Sequence, residues 1–305
     1  MKKQNLIVIT GPTASGKSAL AVSLAQKLNT EIISADSRQI FKGIPIVTAV
    51  PTEEEKGGIK HHLLEVLSLD AYYSAARFRE DSINIIREIF LEKENVIVCG
   101  GSMLYIDALT NGIDDLPTVP DNIRDNLAAL WKSNGDEWLL RQLKELDPVY
   151  YENADLKNLK RIFHAVEISI TAGRPYSSLL TGRISFPEAL PFNIIKFCLS
   201  GPRELLFEKI NSRVVKMMEK GLEEEALRVY DLRNLNSLNT VGLKEMFSMI
   251  DGILSREEAV ARIQKNTRVY AKKQLTWHKR DKTINYLNFC DSPEENINNI
   301  LEYLS

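Results

Sequence analysis

The N-terminal third of the chain alternates between short apolar runs and segments that carry apolar residues at helical spacing. Residues 5–10 form a β-branched run that stops at Gly11-Pro12, and residues 18–28 then repeat apolar side chains with the helical period. The same patterns predict strands at residues 31–34 and 95–99 and an amphipathic helix at residues 74–91. Strands that alternate with helices indicate an α/β fold with a parallel sheet.

The pattern becomes purely helical after residue 116. Helices are predicted at residues 122–131, 137–146 and 156–171, and the apolar run at residues 194–199 then reads as another buried strand. We therefore expect a sheet core made of residues 1–116 and 191–305, with an inserted all-helical domain at residues 117–190. The second part of the core is predicted to contain helices at residues 204–219, 222–232, 243–250 and 256–278, a strand at 283–287 and a last helix that starts near residue 293.

The composition is that of an ordinary globular protein. Of the 305 residues, 44% are hydrophobic and 26% are charged, which excludes disordered, fibrous and membrane classes. The apolar run at residues 6–9 is too short for a secretory signal, and Cys99, Cys198 and Cys290 show no paired spacing. We expect a monomeric cytoplasmic protein with reduced thiols and no membrane partner. A net charge of -2 argues against a uniformly basic surface but leaves room for a local basic patch.

A phosphate-binding motif follows the first predicted strand. Eight residues fit the pattern G-x-x-x-x-G-K-[ST] and precede a predicted helix, as a P-loop requires: Gly11, Pro12, Thr13, Ala14, Ser15, Gly16, Lys17 and Ser18. In such a loop the backbone amides and the helix N-terminus cradle an anion, the lysine contacts the outer phosphate, and the last hydroxyl ligates Mg²⁺. The sequence therefore predicts a P-loop core that binds a di- or triphosphate, with Ser18 as the magnesium ligand.

Most P-loop proteins also use an acidic residue at the end of another strand. Only the predicted strand at residues 31–34 is followed by one, Asp36, and Ser37, Arg38 and Gln39 come directly after it. These hydrogen-bonding side chains suit the reading of a base or sugar. The alternative is that Asp36 only caps a turn or a helix.

Basic residues are concentrated near the C-terminus. Eight cations and one acidic residue lie between Arg262 and Lys282, and Lys265, Arg268 and Lys272 share one helical face. Tyr270, Trp277 and His278 are interleaved with them. This pattern suits a nucleic-acid backbone, although a solvated helix face has the same composition. The predicted insertion adds further basic residues: Arg124, Lys157, Lys160, Arg161, His164 and Arg174.

Two other sets of residues are candidates for chemistry. Arg203 and Arg213 follow the strand at residues 194–199, where arginines of P-loop enzymes contact phosphates, or they lie on a helix surface. His61 and His62 fall in a predicted loop. Since no third ligand stands at a metal-binding spacing, we interpret this histidine pair as structural or substrate-orienting.

An ordered set of motifs resembles the tRNA dimethylallyltransferase (tRNA isopentenyltransferase) family along nearly the whole chain. It begins with the P-loop residues and Asp36-Ser37-Arg38-Gln39 and continues with these segments: Phe41-Lys42-Gly43, Thr48-Ala49, His61-His62, Tyr73-Ser74-Ala75 with Phe78, Gly100-Gly101-Ser102-Met103-Leu104-Tyr105, Asp147-Pro148, Gly221-Leu222-Glu223-Glu224-Glu225 and Tyr270-Ala271-Lys272-Lys273-Gln274 with Thr276-Trp277. Together these motifs are far more specific than a P-loop alone.

The resemblance implies transfer of the five-carbon group of dimethylallyl diphosphate to the exocyclic amine of the adenine next to the anticodon of tRNA, with release of diphosphate. It implies Mg²⁺ as cofactor and the anticodon stem-loop of tRNA as partner. By similarity, Asp36, Thr13 and Arg213 are catalytic residues and residues 11–18 bind the diphosphate. The tRNA contacts implied by similarity are Asp36, Ser37, Arg38, Gln39, Ser102, Arg124, Lys160, Arg161, Ile162, Phe163 and His164.

Six positions depart from the family pattern: Ser18 and Ser102 replace threonine, His164 and Lys273 replace arginine, Asn158 replaces aspartate, and Leu243 replaces tyrosine. Lysine and histidine are not equivalent to arginine, so these changes bear on tRNA binding more than on the chemistry. A small-molecule or nucleoside kinase that uses ATP is the main alternative, because it shares the P-loop and the parallel sheet. An ATPase that only binds nucleic acid is a third reading, which the lack of a second acidic strand end disfavours.

Overall fold

The structure is a computed structural model that describes residues 4–114, 116–180 and 190–304. The chain divides into two compact units, residues 1–110 with 190–305 and residues 111–189. We call them the sheet unit and the helical unit. The described helices include none that is both long enough and apolar enough to span a membrane.

The sheet unit is built on six parallel strands in the order β3-β2-β4-β1-β5-β6. Their bounds are β1 Asn5–Thr10, β2 Ile32–Ser34, β3 His61–His62, β4 Asn95–Cys99, β5 Asn193–Ser200 and β6 Ile284–Asn288. The central strand β1 is buried along its whole length because it pairs with β4 on one side and β5 on the other. The predicted α/β class with a parallel sheet is therefore confirmed.

One strand was missed by the sequence pattern. His61 and His62 pair with Ile32 and Ile33 as the edge strand β3, whereas the sequence predicted a loop at this place. A two-residue strand is too short to show a period, so its pairing is set by the neighbouring strand.

Helices cover the sheet and connect its strands. In the first half of the sheet unit they are α1 Lys17–Leu28, α2 Pro45–Thr48, α3 Glu53–Lys56, α4 Ala75–Ile89 and α5 Met103–Asn111. The helix α4 is amphipathic as predicted, since Phe78, Ile86 and Ile89 are buried. The Ser74 side chain caps it by accepting a hydrogen bond from the Arg77 amide.

The helical unit contains α6 Asp121–Asn134, α7 Asp136–Leu146, α8 Pro148–Asn153 and α9 Leu159–Ala172. Its core includes Leu127, Leu139, Leu143 and Val166. The helix α8 begins at Pro148. A proline fits the first helical turn, and the fully buried Asp147 caps α8 by accepting from the Tyr150 amide at 2.9 Å.

The second half of the sheet unit contains the longest described helix, α13 Arg256–His278. The bounds here are α10 Arg203–Glu219, α11 Leu222–Arg228, α12 Leu243–Ile250, α13 Arg256–His278 and α14 Pro293–Glu302. A capping box begins α13: the Ser255 amide donates to Glu258 Oε2 at 2.8 Å and the Glu258 amide to Ser255 Oγ at 3.2 Å. Ala271, Gln274 and His278 of α13 are buried.

Candidate active site

The glycine-rich segment at residues 11–18 forms a tight loop between β1 and α1. Gly11 has a φ of +147°, and a Cβ atom there would lie 2.8 Å from the carbonyl oxygen of Leu199, so only glycine fits. Gly16 has a φ of +88° at the N-terminus of α1. The loop therefore presents backbone amides and a helix N-terminus at the carboxyl edge of the sheet, which is the geometry of an anion site.

The helix α13 holds this loop from the side. The Thr13 amide donates to Gln274 Oε1 at 2.9 Å, and Gln274 Nε2 donates to the Gly101 carbonyl at 2.9 Å. Gln274 is 1% exposed, so both ends of its amide are satisfied inside the protein. One side chain thus joins the glycine-rich loop to the end of β4.

A second residue of α13 reaches the same edge. His278 lies 3.1 Å from the Thr10 hydroxyl, which in turn donates to the Gly100 carbonyl. Because the Thr10 proton is used for Gly100, His278 Nε2 carries the hydrogen and donates to Thr10. Burial, reinforced by the positive charge of Lys17, lowers the pKa of His278 to about 4, so the ring is neutral at pH 7.

Lys17 points back over its own loop. Its Nζ donates to the Pro12 carbonyl at 3.3 Å. Burial lowers the pKa of Lys17, the charge of Arg213 lowers it further, and the nearby Asp36 opposes this effect. A buried ammonium next to an arginine favours the binding of a polyanion, because the negative charge offsets the cost of burying two positive charges.

Two serines of the loop complete its polar surface. Ser15 Oγ is buried and has no hydrogen-bond partner in the described part of the chain, so its hydroxyl is available to donate to a ligand oxygen. Ser18 is exposed in the first turn of α1. The described residues include no group of three His, Cys, Asp or Glu side chains arranged to hold a metal, so a magnesium ion would depend on Ser18, substrate oxygens and water.

Arg213 and Asp36 face the same loop. Arg213 Nη1 donates to Thr13 Oγ1 at 3.1 Å from the helix α10. Burial lowers the pKa of Arg213, and the negative charge of Asp36 opposes that shift. The three residues expected to be catalytic, Asp36, Thr13 and Arg213, therefore all line one cavity.

Asp36 has one carboxylate oxygen in use and one free. Oδ1 accepts from the amides of Arg38 and Gln39 at 2.9 and 3.3 Å, so the side chain does cap the turn that follows β2. Oδ2 accepts no hydrogen bond within the residues that the structure describes, and it belongs to a half-buried side chain on the cavity wall. The two alternatives drawn from the sequence are thus compatible: the turn fixes Asp36, and the second oxygen remains available.

The residues around Asp36 mostly hold one another. The Ser37 amide donates to Ser102 Oγ at 2.7 Å. Gln39 Nε2 donates to the carbonyls of Thr48 and Ala49 at 3.0 and 2.9 Å. The cluster expected to read tRNA is therefore built as a rigid rim, with many of its donors already engaged.

The cavity has a volume of about 330 Å³. Its polar wall contains Thr13, Asp36 and Arg213, and its apolar wall contains Val47, Val214, Met217, Val241 and Ile263. The size and the combination of charged and apolar lining residues suit a small ligand with an anionic head and a hydrocarbon tail.

The sequence analysis missed the cavity wall at residues 239–242. Gly242 has a φ of +103°, and a Cβ atom there would lie 2.4 Å from Val47 Cγ2, so the wall packs closely against α2. Its amide donates to Glu245 Oε2 at 2.7 Å, which caps α12. The spacing of Gly242 and Glu245 was the one available signal; the irregular residues before it have no period.

The basic residues of α13 have divided roles. Arg268 Nη1 donates to Asn211 Oδ1 at 2.5 Å, and the cations of Arg268 and Lys272 lie 5.9 and 5.4 Å from the centre of the Phe207 ring. Part of this face therefore packs against α10. Trp277 Nε1 donates to Asp107 Oδ2 at 2.8 Å, so Trp277 and the buried His278 are structural, whereas Lys272 and Lys273 are exposed.

The helical unit has an acidic centre among its basic residues. Glu167 is buried and binds Arg124 Nε at 3.0 Å and His164 Nδ1 at 2.8 Å. Burial raises the pKa of Glu167, but the hydrogen bonds from His164 and Arg124 outweigh it and leave the pKa below its ordinary value. Two side chains expected to contact tRNA are thus held by one internal carboxylate.

The remaining expected contacts of this unit differ in exposure. Lys160 and Arg161 are exposed at the start of α9. Ile162 is fully buried in the core, so its side chain supports the helix, in contrast to the tRNA contact expected from the sequence. Phe163 packs against Trp131, with 5.4 Å between the ring centres. Asn158 caps α9 through the Arg161 amide, which an aspartate would also do.

The histidine pair at β3 is structural. His62 Nε2 binds Glu31 Oε2 at 2.6 Å, and His61 Nδ1 contacts the Ile59 carbonyl at 2.9 Å.

The fold and the site define a parallel α/β protein with a glycine-rich loop at the carboxyl edge of its sheet and a small cavity lined by charged and apolar residues. Residues 39–281 match the family model described as IPP transferase. The chain is 46% identical over 282 residues to tRNA dimethylallyltransferase 2 of Parabacteroides distasonis, an alignment that covers 92% of this chain and 93% of the relative.

Solved structures give the same result. The fold is similar to a full-length tRNA isopentenylpyrophosphate transferase from Bacillus halodurans, with a TM-score of 0.73, 32% identity, and coverage of 99% of this chain and 96% of that chain. It is also similar to a eukaryotic dimethylallyltransferase acting on tRNA, with a TM-score of 0.79, 27% identity, and coverage of 94% and 74%. The chain belongs to the IPP transferase family, as its motifs predicted.

Proposed function

We propose that this chain transfers the dimethylallyl group of dimethylallyl diphosphate to the exocyclic amine of the adenine beside the anticodon of tRNA and releases diphosphate. The observation that carries the proposal is the single cavity in which Asp36, Thr13 and Arg213 meet beside apolar side chains. A kinase would need room for a nucleoside and a second acceptor, and neither the apolar wall nor family membership favours that alternative.

The diphosphate head of the donor binds at the P-loop. The loop amides, Lys17 and the unpartnered Ser15 hydroxyl provide its hydrogen-bond donors. Arg213 and Thr13, which already form a hydrogen bond, lie beside the same anion. Because negative charge grows on the diphosphate as the carbon–oxygen bond breaks, these donors stabilise the transition state more than the ground state.

The hydrocarbon part of the donor lies along the apolar wall of the cavity. Val214 and Met217 of α10 form one part of this wall and Ile263 of α13 another. They exclude water from the allylic carbon, which protects it from hydrolysis and strengthens the electrostatic interactions nearby.

Asp36 orients the acceptor. Its free Oδ2 accepts a hydrogen bond from the adenine amine, while Oδ1 remains fixed by the turn. The amine nitrogen forms a bond to the allylic carbon, the carbon–oxygen bond breaks, and its electron pair leaves with the diphosphate. The surplus proton on nitrogen passes to Asp36.

Magnesium is the cofactor in this proposal. Bound to Ser18 and to the diphosphate, it would neutralise part of the charge of the leaving group. The exposed hydroxyl of Ser18 at the first turn of α1 supports this assignment.

The acceptor is a tRNA anticodon stem-loop bound by Asp36, Ser37 and Gln39 of the rim, by Ser102 and by the inserted helical domain. Support comes from the exposed Lys160 and Arg161 of α9 and from the exposed lysines 272 and 273 of α13. The adenine must leave its stack to reach a half-buried carboxylate, which explains a large RNA-binding surface. We further propose that the protein acts as a monomer in the cytoplasm.

The test is mass spectrometry of nucleosides from unmodified tRNA after incubation with the protein, Mg²⁺ and either dimethylallyl diphosphate or ATP. We expect a five-carbon mass gain on adenosine with the first donor only. No gain across a full tRNA pool, together with ATP consumption on a small acceptor, would overturn the proposal in favour of a kinase. Arg213→Gln serves as the inactive reference, since it removes the group that binds Thr13.

A further inference from the structure

The guanidinium of Arg38 is directed at the backbone of a distant turn. Its Nη1 donates to the carbonyls of Asn236 and Ser237 at 2.6 and 3.1 Å, and its Nη2 donates to the carbonyl of Asn239 at 3.3 Å. One side chain therefore binds three carbonyls of a single turn almost 200 residues further along the chain. The planar fork of arginine suits this arrangement, and lysine could not reproduce it.

These contacts use the donors that an RNA phosphate would need. Arg38 forms no ion pair in the described part of the chain, and burial lowers the pKa of its guanidinium. Arg38 is half-buried, and backbone carbonyls accept the hydrogen bonds of its guanidinium, so its role in this structure is to hold the turn. To contact a phosphate through the same nitrogens, it would have to release the turn.

The turn that Arg38 holds continues directly into the cavity wall. Asn239, Thr240, Val241 and Gly242 line the cavity, as Arg38 does. A second anchor comes from Ser237, whose hydroxyl donates to the Leu69 carbonyl at 2.5 Å. Residues 239–242 lie between a short 3-10 helix, Asn236–Leu238, and α12, and they pair with no described strand of the sheet. The side chains of Arg38 and Ser237 therefore anchor this segment.

We infer that Arg38 is a positioning residue for the donor site: it clamps the segment at residues 236–242 against the loop that carries Asp36, and it does not act as a direct tRNA contact. Asp36 and Arg38 belong to one turn, since the Arg38 amide donates to Asp36. The clamp therefore ties the turn that carries the proposed base to the cavity lining at residues 239–242. This inference rests on the proposed function for its kinetic part alone.

The test compares Arg38→Lys, Arg38→Gln and Ser237→Ala with the control Lys42→Gln. Lys42 is an exposed cation in the same loop region, and its side chain forms no hydrogen bond or ion pair within the described residues. For each protein, we would measure kcat, the KM of dimethylallyl diphosphate, the tRNA dissociation constant at several salt concentrations, the thermal midpoint, and amide hydrogen exchange of residues 236–242.

We expect both Arg38 variants to speed exchange at residues 236–242 and to lower kcat/KM for the donor roughly 10–100-fold through misplacement of the wall. Ser237→Ala should also speed exchange and lower kcat/KM for the donor, whereas Lys42→Gln should change neither the exchange rate nor kcat/KM. The tRNA dissociation constant and its salt slope should stay at the wild-type values. Arg38→Lys should not rescue, because retained charge does not restore the fork.

Two results would overturn the inference. One is a salt slope reduced by about 1 in Arg38→Gln but not in Arg38→Lys, with unchanged exchange, which would make Arg38 a phosphate contact. The other is wild-type exchange and wild-type donor KM in both Arg38 variants. Failure of the wild-type protein to modify tRNA would count against the proposed function, whereas the exchange data test the clamp without any turnover.

Discussion

Gln274 accepts a hydrogen bond from the amide of Thr13 at 2.9 Å, which places a residue of the basic helix α13 in direct contact with the glycine-rich loop. The helix proposed to bind RNA is thus also a support of the loop proposed to bind diphosphate. Gln274 and His278 together join α13 to this edge of the sheet.

Gln274→Ala should weaken the loop. The Thr13 amide and the Gly101 carbonyl would both lose their partner inside the protein, at a cost of about 1–3 kcal/mol in the free energy of unfolding. We also expect a higher KM for dimethylallyl diphosphate. Urea denaturation and steady-state kinetics measure these effects.

The matched control is Gln264→Ala on the same helix, where the amide makes a marginal hydrogen bond of 3.4 Å to the Asn211 carbonyl. If the two variants behave alike, Gln274 has no particular role at the loop.

Asp36→Asn should separate the two tasks of Asp36. Asparagine keeps an oxygen for the amides of Arg38 and Gln39, so the turn and tRNA binding should remain. Turnover should fall by roughly 10²–10⁴, the usual value of general-base catalysis. Asp36→Ala should lose the same turnover and some stability as well. Single-turnover measurements with saturating tRNA are the check, and wild-type turnover in both variants would remove Asp36 from the mechanism.

Lys272→Gln combined with Lys273→Gln should raise the tRNA dissociation constant and flatten its dependence on salt, because each lost phosphate contact reduces the slope by about 1. Both lysines are exposed on α13. The control is Lys27→Gln, an exposed lysine in the last turn of α1. The check is filter binding of tRNA between low and moderate salt. Equal salt slopes for the wild type, the double variant and the control would mean that Lys272 and Lys273 only face solvent.

Acidification should destabilise the protein through His278. Its pKa is about 4 in the folded chain and about 6.5 when unfolded, so between these values the unfolded state binds the additional proton. The contribution of His278 to the free energy of unfolding is fully present above pH 6.5. It decreases as the pH falls toward 4, by an amount on the order of 3 kcal/mol. His278→Gln should remove most of this slope in a series of urea titrations. A variant with the full wild-type slope would place the acid sensitivity elsewhere.

The sequence predicted the parts of the site that local rules control. A strand end followed by Asp36, and a glycine-rich loop between β1 and α1, are visible in a few adjacent residues. The clamp of Arg38 and the support from Gln274 join residues that are about 200 and 261 positions apart, and no local pattern contains such contacts. The burial of individual side chains was also hard to predict from the sequence: Ile162 lies among basic residues in the chain, but its side chain is buried in the core of the helical unit.

The same reasoning explains why the basic face of α13 was only partly informative. Spacing placed Lys265, Arg268 and Lys272 on one side of the helix but gave no sign of Phe207 on α10. Charge alone does not distinguish a face that packs on an aromatic ring from one that meets solvent.

The position of β1 in the sheet also has a consequence for synthesis on the ribosome. Its two neighbours, β4 and β5, are separated in the chain by the whole helical unit, so one edge of β1 stays unpaired until residues 193–200 have emerged. The supports of the glycine-rich loop on α13 arrive later still. The nascent chain therefore carries an exposed apolar strand edge and an unsupported loop for most of its translation, a period in which chaperone protection and slow elongation favour correct folding.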